Sequence, residues 1–145
     1  MLILDTNVLS ELMRPKPDTH VLSWARTQSR EEVFTTAINE AEMLYGLEIL
    51  PRGKRRDELM AAMQATFYRD MAGHILAFDS DAARIYAGIA ASRRKHGKPI
   101  SYSDAQIAAI VQSHGATLAS RNVSDFADCG IRTFDPWKRS GPITA

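Results

Sequence analysis

The chain has 145 residues, 45% of them hydrophobic and 24% charged, with a formal net charge of +1. These values fit one ordinary folded domain with a sizeable core, and they exclude a disordered or strongly basic chain. The single cysteine, Cys129, excludes an internal disulfide, and no apolar run approaches the roughly 18 residues that a membrane-spanning helix needs.

In chain order, residues 2–4 form a continuous apolar run, the pattern of a short strand buried on both faces. Asp5 interrupts this apolar start and no basic leader precedes it, so no signal peptide is visible and a cytoplasmic protein without a membrane partner is expected. Residues 7–14 carry Val8, Leu9, Leu12 and Met13 at helical spacing, and "PKPD" (15–18) ends that helix. Asp18 caps a second predicted helix with Val21, Leu22, Trp24 and Ala25. "EVFTTA" (32–37) is β-branched and aromatic and predicts strand two, followed by a helix over 38–50 that Pro51 closes. "PRGKRRDEL" (51–59) is a break followed by a basic helix start, Leu59, Met60, Met63, Phe67 and Met71 continue at helical spacing over 57–71, and "HILAFD" (74–79) predicts strand three. A helix over 80–97 takes Ser80 or Asp81 as its cap and Gly97 just past its end; Asp79, in "FDSD", is read as structural. A further helix spans 103–115, with strands over 116–122 and 131–137. Strands alternating with helices predict an α/β domain over 1–137, built on a mainly parallel sheet covered on both faces, with a loose tail over 138–145.

The acids fall into a pattern on this frame. Ligands of open α/β sheets bind beyond the carboxyl ends of the strands. Asp5 ends strand one, Glu42 lies early in the helix after strand two, Asp104 lies in the first turn of its helix behind Ser101 or Ser103, and Asp125 follows strand four just after Asn122. Each has a plain structural reading: a helix cap for Asp5, a dipole partner for Asp104, a solvated acid for Glu42 and a turn residue for Asp125. Together they map to one sheet edge. Clustered carboxylates repel, and a hard divalent cation such as Mg²⁺ or Mn²⁺ relieves the repulsion; with no histidine or cysteine pair in the set, zinc is disfavoured. Metal-assisted attack of water on a phosphodiester is a chemistry that such a set serves.

Four strings, "LDTNVLSEL" (4–12), "NEAEMLYGL" (39–47), "KPISYSDAQIAAI" (98–110) and "ATLASRNVSDFADCGIRTFDPW" (116–137), resemble PIN-domain ribonucleases, and most of all the VapC toxins of the FitB-like branch. The resemblance runs from Met1 to about Trp137. It implies a three-layer α/β/α fold with a five-stranded, mainly parallel sheet. It also implies a Mg²⁺- or Mn²⁺-dependent endoribonuclease, usually a homodimer, held inactive by a VapB-like antitoxin. Carried over by position, Asp5 and Asp104 match the principal metal ligands and Glu42 the helix acid; Glu40 points elsewhere on its helix. Many family members carry an acid at the position of Asn122, and Asp125 is the residue that would complete the pocket here. Thr6 and Asn7 would hold the Asp5 loop, and Ser120 would position substrate or water.

RNA needs cations. "RGKRR" (52–56) and "RRKHGK" (93–98) are the candidate phosphate contacts, against a reading as solvated helix ends. His20, His74, His96 and His114 read as structural or surface residues, Trp24 and Trp137 as packing residues, and Cys129 as a buried or half-buried thiol. "ELMAAMQATFYRDM" (58–71) reads as core packing, with an antitoxin groove as the second possibility. Two rival functions remain. A phosphotransferase of the haloacid-dehalogenase kind would want an aspartate where Asn7 stands. A non-catalytic PIN-like module would bind RNA or a partner without cutting.

Overall fold

A computed structural model describes residues 1–138 of the chain; the remainder of the expected tail lies outside the described residues. Five strands form one sheet: β1 (Leu2–Leu4), β2 (Val33–Thr36), β3 (Ile75–Leu76), β4 (Thr117–Ala119) and β5 (Arg132–Phe134). Their spatial order is β3-β2-β1-β4-β5, and every pairing is parallel. The helices are α1 (Thr6–Leu12), α2 (Thr19–Arg26), α3 (Ala37–Glu48), α4 (Lys54–Ala65), α5 (Ser80–Lys95) and α6 (Tyr102–Ser113). Among the described residues, no helix is long and apolar enough to cross a membrane.

The period-two alternation of strand side chains divides the core in two. Ile3 and Leu118 face a cluster with Ala82 and Ile89 of α5 and Ile107 to Val111 of α6. Leu2, Leu4 and Ala119 face the opposite cluster, with Val8, Val21, Met43, Leu47 and Met63 from the first four helices and Phe67 just past the end of α4. These two covered faces make the expected three layers. The stretch 58–71 supplies Met63, Phe67 and Met71 to the core, all 7% exposed or less, so its apolar spacing is mainly core packing.

Three local expectations are corrected. Asp79, rather than Ser80 or Asp81, caps α5: its Oδ1 accepts the Ala82 N–H at 3.0 Å. The apolar run 74–79 contributes only Ile75 and Leu76 to the sheet, because they pair with Thr35 and Thr36 at the ends of the two strands and the chain then turns into α5. The helix through 57–71 begins in the basic stretch, at Lys54, but its last turn widens into a π-helix over Thr66–Asp70.

Arg93 is a correction of larger consequence. It sits in the basic run at the end of α5, yet it is 9% exposed. Its Nε donates to the Lys98 carbonyl at 2.7 Å, and its Nη1 donates to the carbonyls of Asp125 (3.1 Å) and Ala127 (2.8 Å) and to the Cys129 sulfur (3.5 Å). The guanidinium therefore clamps α5 to the segment after β4 instead of facing a phosphate. Cys129 is buried, and burial raises its thiol pKa while Arg93 opposes that shift. Replacing Arg93 by methionine removes its charged hydrogen bonds to three part-buried carbonyls, a class of bond worth about 1.5–3 kcal/mol each and less where water can replace the donor. Arg93→Met is expected to lower the urea midpoint by the equivalent of about 2–4 kcal/mol. The exposed neighbour Arg94→Met is expected to stay within about 0.5 kcal/mol of the parent. Equal midpoints for the two variants would remove the clamp from the account.

Candidate active site

The strand order reverses at β1, whose two neighbours β2 and β4 lead the chain in opposite directions across the sheet. That switch point opens a crevice at the carboxyl ends of the strands. Register Leu4↔Ala119 places the next residues, Asp5 and Ser120, side by side. Asp5 donates its N–H to the Ala119 carbonyl at 2.9 Å, and the Ser120 hydroxyl donates to Asp5 Oδ2 at 2.6 Å. The other carboxylate oxygen, Oδ1, accepts the Thr6 N–H and the Asn39 amide, both at 2.9 Å. Asp5 is thus both the N-cap of α1 and the centre of a polar cluster, and it is 6% exposed.

Asn39 is the residue that sequence reasoning missed. It is fully buried, three residues before Glu42 on α3, with its Oδ1 accepting the Thr36 hydroxyl at 2.6 Å. Its Nδ2 also reaches the Thr6 hydroxyl at 3.0 Å, and that hydroxyl donates to Glu42 Oε1 at 3.1 Å. Two sequence signals pointed to it: the Thr36-x-x-Asn39 capping spacing, and the i,i+3 relation that puts Asn39 and Glu42 on one helix face.

The four acids named from sequence gather at this edge. Glu42 is raised above its ordinary pKa by desolvation, opposed by the Thr6 hydrogen bond and reinforced by the charges of Asp5 and Asp104. Asp104 is raised by desolvation, opposed by the Ser101 hydroxyl that caps α6; the charges of Asp5 and Asp125 add to the rise, and Arg93 opposes it. Asp125 lies exposed in a 3-10 turn, Val123–Phe126, next to the Arg93 clamp. Glu40 lies beside the Tyr68 phenol, which desolvation and this carboxylate raise; it does not join the cluster.

The supporting residues divide by role. Asn7 donates Nδ2 to Ser120 Oγ at 3.3 Å and accepts the Arg121 N–H at 3.0 Å. It stitches α1 to the end of β4 and leaves no acid at the position a phosphotransferase would need. Asn122 contributes its backbone, donating N–H to Ser120 Oγ at 3.0 Å, while its side chain is exposed. Among the described residues, no three His, Cys, Asp or Glu side chains stand at the spacing that grips one ion directly. Neighbouring basic residues are partly engaged elsewhere: Arg56 with the Leu47 carbonyl and Glu48, and Lys54 with Glu58. The histidines stay outside the cluster, His74 on the Val33 carbonyl and His96 on the Ser92 carbonyl. Trp24 packs on Phe134.

Comparison with known proteins agrees with the fold. A PIN domain family model matches residues 2–130. The chain is 39% identical to a VapC ribonuclease, Y4jK of Sinorhizobium fredii, over 95% of its own length and 99% of that protein. It is 37% identical to toxin FitB of Neisseria gonorrhoeae, over 94% and 99% of the two chains. Among solved structures, FitAB bound to an IR36 DNA fragment superposes with a TM-score of 0.90 at 37% identity, covering 98% of this chain and 99% of that one. The chain belongs to the PIN-domain family and stands within it beside the VapC ribonucleases and the FitB toxin.

Proposed function

We propose that this chain is an endoribonuclease, the toxin of a toxin–antitoxin pair, that hydrolyses RNA phosphodiesters in the pocket around Asp5. The observation that carries the proposal is the convergence of Asp5, Glu42, Asp104 and Asp125 at the switch-point crevice, with Asp5 held on both oxygens. The near full-length identity to a VapC ribonuclease and to FitB supports the same reading. The likeness to FitAB supports a VapB-like antitoxin as the partner, and the family resemblance supports a homodimer. A cavity of about 650 Å³ lined by Thr6, Met13, Glu42, Leu59 and Met63 gives an antitoxin segment a route to the carboxylates.

The donor set fits a hard divalent cation, Mg²⁺ or Mn²⁺: its donors are carboxylate and hydroxyl oxygens, and two of its acids are raised by burial and mutual charge. Asp5 and Asp104 would hold the ion, with Glu42 and Asp125 acting through water, which suits Mg²⁺ and a site without three converging ligands. Bound there, the ion would supply Lewis-acid polarisation of the phosphodiester and neutralise the pocket's charge. The protein's own part is orientation. Thr6 N–H, Asn39 and Ser120 fix the plane of the Asp5 carboxylate, and Thr6 fixes one oxygen of Glu42. In this reading Glu42 and Asp125 would orient the attacking water, and either carboxylate could accept its proton.

Asp104→Asn is expected to lose at least about 100-fold in Mn²⁺-supported cleavage of total RNA while remaining folded. Full activity in that variant would sink the assignment, and absence of cleavage by the parent would favour the non-catalytic reading. Stability offers an independent check. Glu42 and Asp104 have folded pKa values above their ordinary values of 4.5 and 3.8. As pH rises from that range through the raised values, the unfolded chain releases these protons first, so the metal-free protein loses stability and stays less stable above. Asp104→Asn is therefore expected to raise the metal-free Tm at pH 7 and to flatten its fall with pH. Mg²⁺ or Mn²⁺ is expected to raise the Tm of the parent more than that of the variant. Asn39→Ala is expected to weaken Mn²⁺ binding about 10- to 100-fold by releasing the Asp5 carboxylate, read by calorimetric titration.

A further inference from the structure

We infer that Arg121 is a phosphate-contacting residue of this pocket, its guanidinium held over Trp137 to receive the RNA backbone. The inference rests on the ribonuclease reading above and adds a residue that neither basic cluster supplied.

A pocket of four carboxylates must accept a polyanion, so cations near it carry particular weight. Arg93 lies close, but its Nε and Nη1 are directed at backbone carbonyls and the Cys129 sulfur. Arg121 stands differently. It directly follows Ser120, whose hydroxyl donates to Asp5 Oδ2 at 2.6 Å, and its own N–H donates to Asn7 Oδ1 at 3.0 Å. Its backbone is therefore tied to Asp5 through two side chains. The guanidinium carbon lies 4.8 Å from the centroid of the Trp137 ring, and Trp137 is itself half-buried against the core. Among the described residues no carboxylate forms an ion pair with Arg121.

A stacked guanidinium has one face covered and its N–H edges open. Those edges form the planar fork that matches two phosphate oxygens. The ring also orders a side chain that would otherwise lose rotamer freedom on binding. Lysine at this place would keep the charge and lose the fork. The alternative is that Arg121 is only a strap fastening the chain after β5 to the end of β4. The two roles differ in one quantity: a phosphate contact changes the salt dependence of RNA binding, and a strap does not.

The test uses the full chain carrying Asp104→Asn, without added metal, and a fluorescent single-stranded oligoribonucleotide titrated at several salt concentrations. Adding Arg121→Ala is expected to weaken binding about 10-fold at low salt and to reduce the slope of log K against log salt by about 0.7. Arg121→Lys is expected to keep the slope and to bind with intermediate affinity, and the Tm of all three proteins is expected to agree. An unchanged affinity and slope in Arg121→Ala overturns the inference. So does a weaker affinity with an unchanged slope, which is the signature of the strap. If the Asp104→Asn protein binds no RNA at any salt, or binds equally well with and without Arg121, the role of Arg121 fails; the ribonuclease reading fails separately, on absence of Mn²⁺-supported cleavage by the parent.

Discussion

The pairing of β1 with β4 is the constraint on which the site depends. Asp5 and Ser120 are one residue beyond a parallel ladder, so their separation is set by strand register and not by side-chain choice. A slip of one residue would turn Asp5 to the other face and break the 2.6 Å bond to Ser120. The same ladder explains how a carboxylate can be so deeply buried. An ionised group removed from water is costly unless hydrogen bonds replace hydration. Asp5 receives donors from α1, from α3 beyond β2, and from the end of β4, so the neighbouring layers all contribute to one carboxylate.

The other acids are treated less generously. Glu42 has one hydroxyl on one oxygen, and the Ser101 hydroxyl that caps α6 bonds Asp104 at its backbone N–H. Burial and mutual charge hold both above their ordinary pKa. The cation best placed to relieve Asp104, Arg93, is directed mainly at backbone carbonyls. The fold thus spends its arginine on shape and leaves the pocket negative. A pocket that is well oriented yet under-neutralised would favour a divalent cation, and it does so through unrelieved charge more than through the number of its acids.

The residues that sequence reasoning placed correctly are those whose roles follow from local pattern. An apolar run ending in Asp5, a cap at Asp18, and a serine ahead of Asp104 each announce themselves within a few residues. The strand–helix alternation then carried the acids to one edge, because parallel strands put all their carboxyl ends together. The misses are tertiary. Arg93 belongs to a basic run that suits a helix C-terminus, and only the packing of the 123–129 segment against α5 turns it inward. Asn39 has no charge to draw notice, and its importance arises from Asp5, 34 positions away. Asp79 lost its cap to its neighbours in the reading because Ser80 and Asp81 are equally good cap residues by type.

Asn122 shows how a neutral residue serves an acidic pocket. The Ser120 hydroxyl has one proton to donate and two lone pairs to accept with. The Asn7 amide and the Asn122 N–H approach the oxygen at 3.3 and 3.0 Å and fill both acceptor positions. The proton then has one direction left, toward Asp5 Oδ2. Asn122 accomplishes this with its backbone, and its carbonyl accepts the Asp125 N–H at 3.0 Å, closing the turn that holds the last acid. Its side chain points to solvent and takes no part in either contact. The missing acid at this position therefore leaves the orientation of Asp5 intact and removes only a charge at the rim, where Asp125, already coupled to Asp104, supplies one.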